Sequence, residues 1–154
     1  MSSLYSHSVV PVRADLETVH ETAMSSFSDT GTWFNGSERK EIVASARRVR
    51  HREGLELTGF VDEVADIPLP SAVIELTQRV ACDAGKIGKD FYEKMISEAL
   101  SAEQYVEVVG LVGRAVAIDT FCRALGLPMN ALDVSRPGEP SSMRPKTATV
   151  QHAW

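Results

Sequence analysis

A capping box that opens a long apolar segment limits the possible folds of this chain more than any other feature. Ser101 and Gln104 are spaced so that each side chain can satisfy the free backbone N–H of the other. The chain is apolar on nearly every side from residue 102 to residue 125, and Gly126 is the residue type at which helices commonly end. We therefore predict a long, buried, central helix over residues 102–125.

Shorter segments carry the same helical period. Apolar residues recur at steps of three and four, and sustained period-two alternation is missing, which predicts an all-α protein. We expect helices over residues 14–26, 37–50, 71–81 and 89–100, with Ser37 as the cap of the second helix. With 154 residues the chain has the length of one domain, which we place at residues 1–134. Residues 135–154 are rich in Pro, Ser and Thr, and we predict an extended C-terminal tail there.

Charge and cysteine content exclude several classes of protein. Sixteen Lys and Arg residues against 21 Asp and Glu residues give a net charge of −5, which argues against a general binder of nucleic acid or of anionic membranes. Cys82 and Cys122 are too far apart for a C-x-x-C redox pair or a zinc cluster, so we expect no metal and no cofactor. The chain shows neither a basic, apolar leader nor a membrane-length apolar run, and we expect a soluble, cytoplasmic protein.

The order of these helices and their termini resembles the alkylhydroperoxidase D-like and carboxymuconolactone decarboxylase superfamily over about residues 33–129. The segments that carry the resemblance are SERKEIV at residues 37–43, LSAEQYVEVV at residues 100–109 and ALGLP at residues 124–128. The resemblance implies a helical bundle that assembles into oligomers, because single protomers expose apolar helix faces. The tail, with PGEPS at residues 137–141, looks like the middle of longer, two-lobed relatives. The implied partner is a second copy of this chain or a related second-lobe subunit.

The redox motif of the peroxidases in that superfamily is missing. In those members a Glu is followed, twelve residues on, by C-x-x-C-x-x-x-H; if Glu41 is that acid, the three later positions are Glu53, Glu56 and Phe60. Peroxide reduction needs one thiol to attack and a second to resolve the sulfenic acid, so dithiol peroxidase activity is not expected. The resemblance then implies cofactor-free acid/base chemistry on a small anionic substrate, such as a lactone acid, of the decarboxylase type.

Six residues are candidates for such a site. Acid/base roles are assigned to Glu41, His51 and Glu107, and binding of the substrate anion to Arg47, Arg50 and Arg114. Each has a simpler interpretation. The basic end of the second helix is typical of a solvated helix terminus, and Glu107 and Arg114, which share a helix face, are typical of a structural ion pair within or between protomers.

The remaining charges of the long helix have a plain interpretation. Asp119 and Arg123 are four residues apart, which predicts an ordinary surface ion pair. No compact catalytic triplet is evident in the chain, which favours the alternative that it is a non-catalytic interaction subunit.

Overall fold

The computed structural model describes residues 4–55 and 67–144. Within those two ranges the protein is all-helical and contains no strand, which confirms the predicted fold class. The helices are α1 (Ala14–Ser26), α2 (Gly36–Arg52), α3 (Ser71–Asp83), α4 (Lys89–Glu98) and α5 (Ala102–Ala124), and a short 3₁₀ turn, Ala84–Lys86, follows α3.

The long helix begins and ends where its sequence signals lie. The Ser101 hydroxyl accepts from the Gln104 backbone N–H at 3.1 Å, and the Gln104 side chain accepts from the Ser101 N–H at 3.0 Å. After the helix, Gly126 has φ of +72°, a left-handed conformation that costs glycine little. These local signals need no tertiary contact, because every group in them lies within four residues of its partner.

The start of α2 differs from the prediction. Asn35, not Ser37, caps this helix: its side chain accepts from the Glu38 N–H at 2.9 Å, and the Glu38 carboxylate accepts from the Asn35 N–H at 2.8 Å. The reciprocal pair satisfies two free N–H groups. With Ser37 as the cap, Glu38 would no longer lie three residues after the cap and could not return the second hydrogen bond. The Ser37 hydroxyl instead contacts the hydroxyl of Ser135 in the tail, at 3.1 Å.

The core lies between α2, α3 and α5, with α1 and α4 packed against its edges. Of these helices α2 is the most enclosed, since it buries residues around nearly its whole circumference. The largest fully buried side chains of the core are Phe27, Ile42, Leu76, Leu111 and Ile118. Burial of each such side chain contributes about 1.5–3 kcal/mol.

One face of α5 is exposed, so the prediction of a buried central helix is wrong for that side of the helix. A row of residues at three- and four-residue spacing faces solvent, and none of them is charged; we call this row the α5 outer face. It consists of Val106, Gly110, Gly113, Ala117, Thr120 and Ala124. In this row, the residue Val106 is 66% exposed. The apolar character of this segment suits burial, but in the described chain no element covers this side.

The beginning of the tail lies along the chain's own surface. The Arg136 N–H donates to the Ser28 carbonyl at 2.9 Å, the Ser142 N–H donates to the Thr32 carbonyl at 2.8 Å, and Arg144 pairs with Glu103 at 2.6 Å. The resemblance of the tail to the middle of two-lobed relatives predicts that residues 136–154 lie across a neighbouring subunit or a second lobe. Residues 136–144 follow the loop between α1 and α2 of the same chain, and residues 145–154 lie outside the described ranges.

Candidate functional site

Three arginines of α2 are buried along one side of the helix. Arg39, Arg47 and Arg50 are 8%, 4% and 9% exposed, and their spacing of eight and three residues places them on the face that meets α3 and α5. A guanidinium removed from water needs charged or carbonyl partners. The three arginines have different partners. These partners determine which of the candidate residues are available for chemistry.

Arg47 forms a two-pronged ion pair with Asp119. Its Nε and Nη2 donate to the two carboxylate oxygens at 2.9 and 2.8 Å, and its Nη1 donates to the carbonyl of Asn130 at 3.0 Å. Both side chains are almost fully buried, at 4% and 2% exposure. The prediction that Asp119 forms a surface pair with Arg123 is therefore wrong: Asp119 faces the core, where α2 supplies a buried cation.

Arg39 pairs with Glu107 at the other end of the same face. Its second guanidinium nitrogen donates to the Ser26 carbonyl at 3.0 Å, while the Trp33 backbone N–H donates to the second oxygen of Glu107 at 2.8 Å. The loop between α1 and α2 is thereby tied to α5. Gly31 lies so close that a Cβ there would come within 2.0 Å of Glu107 Oε1. Glu107 thus holds a structural ion pair, but with Arg39 rather than with Arg114.

Arg114 stays outside that pair. Its Nε donates to the Gly110 carbonyl one turn earlier, at 3.0 Å, and its guanidinium carbon lies 5.8 Å from the centre of the Phe27 ring. Partial burial, and then repulsion from the Arg39 guanidinium, lower the pKa of Arg114. Arg114 and Arg39 share one neighbouring carboxylate, which leaves this end of α5 with excess positive charge.

Glu41 lies in a different environment from Glu107. It is two residues from Arg39, hence about 200° around the helix, and it pairs with Arg48 on that side of α2. The Glu41 side chain is 3% exposed whereas that of Arg48 is 44% exposed, so the pair joins a buried carboxylate to a cation at the surface. The second carboxylate oxygen, Oε2, is buried and accepts no hydrogen bond from any residue that the structure describes.

The other two candidates lie at the end of α2. His51 is exposed, and Arg50 donates to the Ala81 carbonyl of α3 at 2.7 Å. Arg47 and Arg50 therefore point their guanidinium groups into contacts between helices. Ion pairs join Glu41 to Arg48, Glu107 to Arg39, and Arg47 to Asp119. Within residues 4–55 and 67–144, no ion pair joins two of the six candidates.

A polar cluster that the sequence analysis missed lies between the N-terminal segment, α1 and α5. The Tyr5 hydroxyl bonds to Nδ1 of His20 and lies in hydrogen-bond contact with the Cys122 thiol, which the Asn130 amide approaches at 3.4 Å. Burial raises the pKa values of Tyr5 and Cys122 and lowers that of His20, so each group is held neutral. The available signal was the three- and four-residue spacing of Leu16, His20 and Ala23.

A cavity of about 410 Å³ opens beside this cluster. It is bordered by the N-terminal segment, α1 and the end of α5, through Val10, Pro11, Val12, Arg13, Leu16, Phe121 and Leu125. Arg13, its one charged residue, already pairs with Asp15. The lining is otherwise apolar and contains none of the six candidates. No group of three or more potential metal ligands occurs among the described residues.

Comparison with known proteins adds no relative. No protein-family model matches the chain, and neither a curated protein nor a solved structure matches it. Among the described residues no helix is both long enough and apolar enough to cross a bilayer.

Proposed function

We propose that this chain is a non-catalytic interaction subunit with an alkylhydroperoxidase D-like helical fold, which binds a second helical lobe through the α5 outer face. The observation that carries the proposal is a row of six exposed, uncharged residues at helical spacing from Val106 to Ala124, with the exposed Arg114 beside it. A helix face turned to water normally carries charged and polar residues. An uncharged exposed row of this length is typical of a surface that another protein covers.

The size of the residues on this face supports a helix as the partner. Gly110 and Gly113 lie one turn apart, and a Cβ at either position would meet nothing within 4 Å. Small residues at a helix contact allow the two axes to approach closely, because the separation depends on the side chains between them.

Gly113→Glu tests this proposal. The substitution places a charge in the middle of the α5 outer face and replaces glycine by a better helix former, so the isolated chain should be more stable by about 0.5–1 kcal/mol. We expect the tagged wild-type chain to be recovered from its own cells in a complex heavier than the 16.8 kDa monomer, and the variant to be recovered as a monomer. Native mass spectrometry gives the stoichiometry.

Gly85→Glu is the matched control, because Gly85 is also exposed with open space around it but lies in the turn after α3. This variant should assemble as the wild type does. Recovery of the wild-type chain as a monomer, or equal assembly of both glutamate variants, would contradict a role for the α5 outer face.

A second candidate function is the acid/base enzyme acting on a small anionic substrate. The buried Oε2 of Glu41, which has no donor among the described residues, favours it, because such an oxygen is available to take a proton. Glu41 also occupies the acidic position of the superfamily resemblance. In this function His51 and Glu107 would assist proton transfer, and Arg47, Arg50 and Arg114 would bind the anion.

Glu41→Gln separates this function from the first. If Glu41 is a general base, release of CO₂ from a γ-lactone carboxylate should fall by about 10²–10⁴-fold in the variant. The exposed Glu53→Gln is the control and should retain full turnover. A wild-type protein that releases no CO₂ above the rate in buffer, or a Glu41→Gln variant with wild-type turnover, would remove this candidate.

A further inference from the structure

The α5 outer face has an unbalanced positive charge at its edge. Arg114 lies beside Gly110 and Gly113, and among the described residues it forms no ion pair. Arg39, close enough to repel it, is 8% exposed and pairs with Glu107, while its buried Nε has no hydrogen-bond partner in the described part of the chain. Two guanidinium groups thus share one carboxylate, and that carboxylate also accepts from the Trp33 N–H.

Covering the α5 outer face would take Arg114 further from water. At present its guanidinium is exposed to solvent on one side and lies over the Phe27 ring on the other. A partner that brought only apolar atoms would bury a cation with no counter-charge, which is strongly unfavourable. The partner therefore has to supply an anionic group next to Arg114.

A second copy of α5 cannot supply that group. The acidic residues of this helix are Glu103, Glu107 and Asp119, and they already pair with Arg144, Arg39 and Arg47. A two-fold pairing of α5 with itself across Gly110 and Gly113 would bring a second Arg114 within about two helical turns of the first, so the excess charge would double. Charge complementarity consequently disfavours a pairing of α5 with itself and favours a partner helix that brings a carboxylate without a cation of its own.

We propose that the α5 outer face binds a helix of a different protein chain, and that a Glu or Asp of that helix pairs with Arg114 at the edge of that face. This inference rests on the proposed interaction function and specifies the partner's chemistry: a helix with small apolar residues around one carboxylate. Arg114 then provides orientation, because only one placement of the partner helix brings its carboxylate beside the guanidinium.

Zero-length crosslinking of the co-purified complex tests the contact directly. Arg114→Lys keeps the charge and introduces an amine, and a water-soluble carbodiimide joins an amine only to a carboxylate that touches it. We expect mass spectrometry of the digested complex to find an amide between the introduced amine and an Asp or Glu of the partner chain. Arg52→Lys, at an exposed position on the end of α2, is the control and should give no such product.

Three results for the Arg114→Lys variant would overturn the inference. The introduced amine couples only to Glu107 of its own chain; it couples to nothing; or, in a mixture of ¹⁴N- and ¹⁵N-labelled chains, it couples to a second copy of this chain. In case Arg114→Lys does not assemble, Arg114→Gln provides an independent measurement. It should weaken the partner's affinity at least tenfold while leaving the helical circular dichroism unchanged, and an unchanged affinity would contradict the Arg114 contact.

The two sets of variants separate the partner carboxylate from the interface itself. If Gly113→Glu dissociates the complex and Arg114→Gln does not, the α5 outer face is still the interface, but the inferred contact of a partner carboxylate with Arg114 is wrong. If the wild-type chain is monomeric in its own cells, both the interface on the α5 outer face and the partner carboxylate at Arg114 are wrong.

Discussion

Arg47→Ala should lower the free energy of unfolding by about 3–5 kcal/mol. The substitution leaves the Asp119 carboxylate, which is 2% exposed, without its cation and removes the donor to the Asn130 carbonyl. Chemical denaturation followed by circular dichroism measures the change. A loss of this size assigns Arg47 to the core, whereas an arginine that serves only to bind a substrate would leave stability near its wild-type value.

Arg13→Ala is the matched control. Arg13 and Asp15 also form an arginine–aspartate pair, but their side chains are 81% and 67% exposed. Exposed pairs contribute little to stability, since water solvates both charges well. If the two alanine variants lose the same stability, burial of the Arg47–Asp119 pair is not what makes it important.

A double variant covers the case in which Arg47→Ala fails to fold. Replacing a buried pair by apolar residues of similar volume removes both charges and both desolvation costs. Arg47→Met with Asp119→Leu should therefore fold and recover most of the stability lost in Arg47→Ala. A double variant as unstable as Arg47→Ala would show that the cost lies in packing rather than in an uncompensated charge.

Gly31→Ala should destabilise the protein by about 1–3 kcal/mol. The added Cβ would come within 2.0 Å of Glu107 Oε1 and 2.2 Å of Arg39 Nη1. Ends of side chains often move aside cheaply, but these two are held by the Trp33 N–H and the Ser26 carbonyl. The chain must therefore break the ion pair or shift the loop between α1 and α2.

Gly85→Ala serves as the comparison for Gly31→Ala. A Cβ at residue 85 meets nothing within 4 Å, and its backbone is not in the left-handed region. Alanine at such a position is neutral or stabilises by about 0.4–1 kcal/mol, because it restricts the unfolded chain. Thermal unfolding of the two variants side by side gives the difference. Equal melting temperatures would mean that the loop accommodates the extra methyl group without disturbing Glu107.

Local interactions explain where prediction from sequence succeeded. The capping box at Ser101 and Gln104 and the left-handed Gly126 each involve groups within a few residues, and the structure places them as predicted. The same reasoning failed at the start of α2 only because two capping residues compete there. Asn35 has a glutamate three residues later to complete the box, and that reciprocal pair decides between Asn35 and Ser37.

The sequence by itself determined the helical class, the approximate helix positions and the absence of a C-x-x-C dithiol motif, since these follow from residue spacing and identity alone. The tertiary structure decided which charges meet: Arg47 and Asp119 are 72 residues apart, and Arg39 and Glu107 are 68 apart. It also decided that one side of the apolar α5 stays exposed. Helical periodicity shows which residues share a face but not what lies opposite, so the partner of each buried charge and of the α5 outer face follows only from how the helices pack.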